Sequence, residues 1–243
     1  MKKLIAMLLC SIPLSLFAQD NDYTMYQTIE IVPDNKALDK LKTNLKTHNE
    51  RFHNSGNRSA VVWRVASGPG VGHLIWMRGP LKFADLDSPL GADHDEHWAE
   101  SVMPYIKNIK TLEYWRRLDK ISNVMENPSP KIYVRMFKIN KGQSYRTNEM
   151  FGKVNEAIKH MDGDNPWAVW SNLFLQGDMG RHIAAVSGFN NWAWIDEDDN
   201  FRKHYTEVHG ENSWIPFINM QREIIEDSYD QIWVLDTELS AGQ

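Results

Sequence analysis

Two of the nine histidines in this 243-residue chain occupy matching places in two similar stretches of sequence. His73 opens the stretch HLIWMRGPLKFADLD, and His182 opens HIAAVSGFNNWAWID. An imidazole can act as a general base, ligate haem iron or donate to a bound carbonyl. It can equally be a half-buried side chain that bonds to a loop carbonyl and was copied by a duplication. We predict His73 and His182 as the candidate catalytic residues.

A second group combines imidazoles with carboxylates in the stretch DHDEHWAE, residues 93–100. His94, His97 and Glu100 follow one another at intervals of three, so a helix would bring them to one side. Two imidazoles and a carboxylate suit zinc or iron. Acidic residues at a helix start are also what the helix dipole favours. His94, His97 and Glu100 are the candidate metal ligands, and haem or a divalent metal ion is the candidate cofactor.

Aromatic side chains are frequent enough to line a binding site, since ten residues are tryptophan. Aromatic walls hold flat ligands, although tryptophan is more often part of a core. Beside His73 the chain has Ile75 and Trp76, whereas Ala184 and Ala185 follow His182, which predicts more room in the second half of the chain. The aromatic candidates for ligand binding are Trp63, Trp170, Trp76, Tyr26 and Tyr133.

Arg64 and Arg78 complete the candidate ligand-binding residues. Both lie, with Arg135, on predicted strands whose two faces are apolar. An unpaired buried charge is costly, so each guanidinium needs a carboxylate partner or an anionic ligand. Glu30 and Glu113, which are also on predicted strands, are the alternative internal partners.

The secondary-structure elements that must position these residues occur twice along the chain. The first matches lie 107 residues apart, the separation becomes 109 at the paired histidines, and it becomes 112 near the end. Because the order of the matches never crosses, we interpret the sequence as a duplication. The matches include Tyr26 with Tyr133, His53 with His160, Gly56 with Gly163, Trp63 with Trp170, His97 with His209, and Trp115 with Trp233.

Each copy predicts the order strand, helix, strand, strand, helix, strand, which is the ferredoxin-like unit. The second helix is predicted over about 93–107 in the first copy and 212–226 in the second, and the final strands over 111–118 and 231–235. Strand residues of both parities are apolar, for example Val134 and Met136 alternating with Phe137 and Ile139. Such strands are buried on both faces. We therefore predict an α+β fold in which two tandem βαββαβ repeats, residues 19–125 and 126–243, pack sheet to sheet as an intramolecular barrel.

Two such units packed in this way resemble the dimeric α+β barrel superfamily. That superfamily includes antibiotic-biosynthesis-type monooxygenases, haem-degrading enzymes, chlorite dismutase relatives and small stress-response barrels. The resemblance covers nearly all of the chain after residue 18, but it rests on element order and duplication, and it includes no catalytic motif of a member family. It therefore implies a fold rather than a reaction.

The first eighteen residues have the pattern of an export signal, with Lys2 and Lys3 before an apolar run and Ala18 at its end. Cleavage there predicts an exported protein, periplasmic or extracellular. Cys10 is the only cysteine, so the mature chain would have no thiol or disulfide. Lipid attachment at Cys10 is disfavoured by the bulky Leu9 before it.

A net charge of −5 argues against nucleic acid as a partner, because binding the backbone needs a basic surface. No later stretch is apolar enough to predict a membrane span after the signal is removed. The predicted partner is a small-molecule ligand, and the oligomeric state stays open. The leading hypothesis is a ligand-binding barrel, a monooxygenase-like oxidoreductase acting on a flat or aromatic substrate. The alternatives are a haem or metal protein and a non-catalytic periplasmic binding or stress module, so catalysis itself stays open.

Overall fold

The computed structural model describes residues 23–124, 129–174 and 183–242. Within them, eight antiparallel strands close into a barrel, and helices pack outside it. The predicted signal peptide and His182 lie outside the described residues. Among the described helices, none is both long and apolar enough to cross a membrane.

The strands follow the barrel in the order β1-β3-β2-β8-β5-β7-β6-β4, and β4 pairs with β1 to close it. Residues 25–117 thus supply four adjacent strands and residues 131–235 the other four, joined by the pairs β2–β8 and β4–β6. The strands are β1 (Met25–Pro33), β2 (Ala60–Ser67), β3 (Leu74–Leu81), β4 (Ile106–Arg117), β5 (Lys131–Ile139), β6 (Trp167–Asn172), β7 (Ile183–Phe189) and β8 (Ile225–Leu235). The helices are α1 (Leu38–Phe52), α2 (Phe83–Leu86), α3 (Ala92–His97), α4 (Thr147–His160), α5 (Phe201–His209) and α6 (Trp214–Ile224).

The helices bury their apolar sides against the outer face of the barrel. Leu41 and Leu45 of α1 recur at helical spacing and are fully buried with Val62 of β2. In the second half, Phe151 of α4 packs with Phe137 of β5. Each half therefore has its own core between sheet and helices.

A third core fills the inside of the barrel. Trp63, Trp115 and Trp233 meet there with Val134 and Met136, and all five side chains are buried. Because Phe137 of the same strand belongs to the core under the helices, β5 is buried on both faces. This burial agrees with the sequence of the strand, in which apolar residues occur at both odd and even positions.

The close pairing of β2 with β8 requires a glycine directly after β2. Gly68, directly after β2, has a φ of +89°, and a β-carbon added to it would overlap the carbonyl oxygen of Asp230 in β8. Only glycine adopts this conformation and lets the two backbones approach so closely.

The predicted second helix is wrong in the first half, whereas in the second half α6 lies within two residues of both predicted ends. In the first half α3 ends at His97, the next five residues form a single π-helical segment, and Pro104 lies in a short 3₁₀ turn before β4 begins at Ile106. In the second half Gly210, with a φ of +98°, ends α5, and α6 begins only at Trp214. The final strands consequently begin five or six residues earlier than predicted.

Candidate functional site

The second half contains a cavity of about 1230 Å³ between the outer face of the barrel and the helices. Strands β5 and β7 form its floor, and α4, α5 and α6 contribute to its walls. Helices covering a sheet normally leave only voids smaller than a water molecule. The space is large enough for a small molecule.

The cavity lies where the second half has a smaller side chain than the first. Ala185 lines it, and the matching position of the first half is Trp76, 109 residues earlier. Trp76 is 4% exposed and donates its indole N–H to Asn49 Oδ1 at 2.9 Å. The indole thus occupies the first half, while the methyl group of Ala185 leaves the second half open. The location agrees with the prediction of more room there.

Aromatic side chains form one wall of the cavity. Phe189 and Trp194 stack with ring centroids 5.0 Å apart and an interplanar angle of 14°. Trp194 is still 37% exposed, so part of its ring is available to a ligand. A flat apolar molecule is the chemistry that such a wall suits.

A network of three polar side chains lies at the floor of the cavity. Arg135 Nε lies 2.7 Å from Asp230 Oδ1, and Arg135 Nη2 lies 2.8 Å from Asp230 Oδ2. The Tyr133 hydroxyl accepts from Arg135 at 2.6 Å and donates to Asp230. The hydrogen bond from Arg135 lowers the pKa of Asp230, and burial, with Asp230, raises that of Tyr133. At neutral pH the network is therefore an ion pair with a neutral phenol beside it.

The sequence singled out Tyr133 but missed Asp230. Glu30 and Glu113 had been expected as the partners of strand arginines, whereas the register of β5 and β8 places Asp230 directly opposite Arg135. That register was not readable from pattern alone. Arg135 keeps 45% of its side chain exposed, so it can also reach an anionic group of a ligand.

His204 of α5 is the imidazole that lines the cavity. Its Nδ1 is buried and has no hydrogen-bond partner among the described residues, although Glu207 Oε2 lies 3.5 Å away. The sequence patterns did not select His204 as a candidate residue.

His73 lies elsewhere. Its Nδ1 is 2.8 Å from Glu30 Oε1, and its side chain is 18% exposed at the end of the barrel near β3. His73 is not among the cavity residues. Because His182 lies outside the described residues, a joint role of the two histidines stays a prediction.

Three predicted ligand-binding aromatics belong to the barrel core. Trp63 is 7% exposed inside the barrel. Trp170 packs against the same core and meets Tyr26 edge to face at 5.6 Å. None of the three lines the cavity, which is outside the barrel.

The two predicted arginines also lie away from the cavity. Arg64 is exposed, which corrects the expectation that both faces of its strand are buried at that point. Arg78 is 8% exposed, and burial and the nearby Arg58 lower its pKa, while Asp85 raises it. No anionic ligand is needed to account for Arg64.

The structure brings His94 and His97 together with two histidines that the sequence did not select. His48 of α1 and His53, directly after α1, are fully buried against them. Glu100 is exposed and outside this group, because the π-helical segment interrupts the interval of three. The match between His53 and His160 was the one signal in the sequence that pointed to His53.

No protein-family model and no curated protein matches this chain. Solved structures do match its fold. An anthrone oxidase-like protein is 12% identical, with a TM-score of 0.55 over 93% of this chain and 95% of that one. Chlorite dismutase from Candidatus Nitrospira defluvii, solved in complex with imidazole, is 7% identical, with a TM-score of 0.54 over 89% of this chain and 93% of that one.

A protein from Lactobacillus acidophilus, assigned only provisionally as a monooxygenase, is 8% identical, with a TM-score of 0.53 over 90% of this chain and 96% of that one. At such low identity these similarities establish the fold and leave the activity open. This chain has the dimeric α+β barrel fold, with the whole barrel formed by one polypeptide.

Proposed function

We propose that this protein binds a flat, largely apolar small molecule in the cavity over Ala185 and acts on it as a monooxygenase-like oxidoreductase. The observation that carries the proposal is the cavity itself, located where alanine replaces the indole of the other half. The oxidoreductase part is supported by the names of the structural relatives, which include a monooxygenase and an anthrone oxidase-like protein.

The cavity offers each part of such a ligand a matching surface. The stacked rings of Phe189 and Trp194 provide a flat apolar contact. The Arg135 guanidinium provides donors for a carbonyl, phenolate or carboxylate at the other side. Because Asp230 already holds the guanidinium, the donors are fixed before the ligand arrives.

Haem is the second candidate occupant of the same cavity, and one observation favours it. His204 lines the cavity, which is large enough for a macrocycle, and its buried Nδ1 has no hydrogen-bond partner among the described residues. His204 would ligate the iron and Arg135 would pair with a propionate. Bound haem would supply one-electron chemistry.

Filling the cavity tests the proposal. We expect Ala185→Trp to abolish retention of any ligand that copurifies with the wild-type protein. It should also weaken binding of added aromatic ligands at least tenfold, because the indole takes the ligand's place. The measurement is mass spectrometry of the extracted ligand together with isothermal titration. A haemin titration monitored by visible absorption tests whether the cavity binds haem. If it does, His204→Ala should remove the absorption band of the iron ligated by histidine.

Ile215→Trp is the matched control, because Ile215 of α6 is 64% exposed and outside the cavity. It adds the same side chain and should leave binding unchanged. Undiminished binding by a folded Ala185→Trp variant would contradict the proposed site. Binding without turnover of any ligand would leave the cavity in place and favour the non-catalytic binding module.

We also propose that the barrel arose by duplication and that the protein is exported. The ordered matches between the two halves support the first part, and the basic and apolar N-terminal pattern supports the second. We expect the protein recovered from the periplasm or medium to begin at Gln19, which intact-mass measurement checks. A cell-associated protein that retains Met1 would contradict export.

A further inference from the structure

Four histidines gather between α1 and α3 in the first half, apart from the proposed ligand cavity. His48 and His53 are fully buried, and the side chain of His94 is 18% exposed. One nitrogen from each of these three lies within 4.8 Å of the others. Such dense packing of imidazoles needs a physical reason, because each buried polar nitrogen requires a partner.

The partners of two rings determine where their protons are. His53 Nδ1 lies 2.8 Å from the carbonyl oxygen of Arg58, which can only accept, so this nitrogen carries the hydrogen. His94 Nδ1 lies 2.8 Å from a carboxylate oxygen of Asp95 and carries the hydrogen for the same reason. In the neutral rings both Nε2 atoms therefore bear lone pairs. These two Nε2 atoms face each other at 3.2 Å.

The third ring can take the same tautomer. His48 Nδ1 lies 3.2 Å from His97 Nδ1, so a hydrogen on His48 Nδ1 can be donated to His97. In that tautomer His48 Nε2 bears a lone pair, and it is buried with no hydrogen-bond partner in the part of the chain that the structure describes. His48 thus offers a third nitrogen beside the facing pair of His53 and His94.

We propose that Nε2 of His48, of His53 and of His94 bind one divalent first-row transition metal ion. Zn²⁺–N bonds of about 2.0–2.1 Å place two tetrahedral ligands roughly 3.3–3.4 Å apart, which the 3.2 Å between His53 and His94 already approaches. Three imidazoles leave a fourth position for water or an anion.

The outer contacts match those of bound metal ligands. A metal-ligating histidine almost always donates its other N–H to a carboxylate, a backbone carbonyl or water, which fixes the ring. Asp95 and the Arg58 carbonyl take these places for His94 and His53, and His97 is the neighbour of the corresponding nitrogen of His48.

His48 and His53 are also in the protonation state that a metal needs. Burial, followed by the neighbouring histidines, lowers the pKa of His48 to about 3, and burial lowers that of His53 to about 4. Both rings are neutral near pH 7, so no proton has to be displaced from their Nε2 atoms.

A titration of the untagged full chain with Zn²⁺, after treatment with a chelator, tests the proposal. We expect one ion per chain, a rise in Tm with Zn²⁺ concentration, and tetrahedral d–d absorption when Co²⁺ is used instead. His53→Gln and His94→Gln should each weaken binding by more than about 100-fold, beyond the effect of losing an outer partner. Because His94 is partly exposed, its variant keeps the test valid if His53→Gln does not fold.

Two matched pairs of variants locate the site. Asp95→Asn should weaken Zn²⁺ binding about 10-fold through His94, whereas Glu96→Gln, which removes the neighbouring charge, should not. His160→Gln at the matching position of the second half should also leave binding unchanged. The proposal is overturned if the chain binds no Zn²⁺, which would indicate a proton shared between His53 and His94. It is also overturned if binding survives both His53→Gln and His94→Gln.

Discussion

Replacing Trp233 with alanine is expected to lower the free energy of unfolding by about 3–5 kcal/mol. Trp233 is 7% exposed inside the barrel and packs in the same core as Trp63 and Trp115. Its indole N–H also donates to Gln231 Oε1 at 3.0 Å. The substitution therefore removes a large apolar surface, leaves a void in a closed space and takes a hydrogen-bond donor from a buried amide.

Urea denaturation measures this effect, and Trp194→Ala is the matched control. Trp194 is also a tryptophan, but it is 37% exposed beside the cavity, so we expect a loss of only about 0.5–1 kcal/mol. The order should reverse for ligand binding. Trp194→Ala should weaken it, and Trp233→Ala should leave it unchanged. Similar losses of stability in both variants would show that the inside of the barrel is not the packed core described above.

That contrast bears on what the sequence could predict. The alternation-free apolar pattern of β5 correctly indicated burial on both faces, because the pattern depends only on whether each side chain meets water. The pattern is silent about what covers each face. Trp63 and Trp170 were therefore assigned to a ligand cavity, although Trp63 fills the inside of the barrel and Trp170 packs against that core.

Comparison of the two halves was more informative than motifs. The difference between Trp76 and Ala185 indicated where space would be, since the same backbone position carries side chains of very different volume. The pairing of Arg135 with Asp230 depends on strand register, and the contacts of His48 and His53 with α3 are long-range. Neither could be read from local spacing. Glu100 was selected because it follows His97 by three residues, a spacing that applies to an α-helix. The π-helical segment changes that spacing, and local sequence does not predict such a segment.

Asn49 is the second residue whose replacement should have a large effect. Asn49→Ala is expected to cost about 2–6 kcal/mol, because it leaves two buried groups without partners at about 1–3 kcal/mol each. Asn49 is fully buried and accepts from Trp76 Nε1 at 2.9 Å, and its Nδ2 donates to the Leu239 carbonyl at 2.6 Å. Asn44→Ala on the same helix is the control. Asn44 is half-buried, and its side chain donates to the carbonyl of Lys40 in a solvent-exposed hydrogen bond, so a change within about 0.5 kcal/mol is expected.

A double-mutant cycle with Trp76→Phe identifies the cause of the loss. Once the indole N–H is absent, Asn49→Ala strands only the Leu239 carbonyl, so the combined loss should be smaller than the sum of the single losses. Unfolding should be measured with a chelator present, because His48 is adjacent and a bound ion would add its own stabilisation. Leu239 lies in the segment that follows β8 and pairs with β2 through Ala241 and Ala60. Asn49 thus connects α1 both to Trp76 of β3 and to the segment after β8. Additive losses in the cycle would contradict the proposed coupling between Asn49 and Trp76.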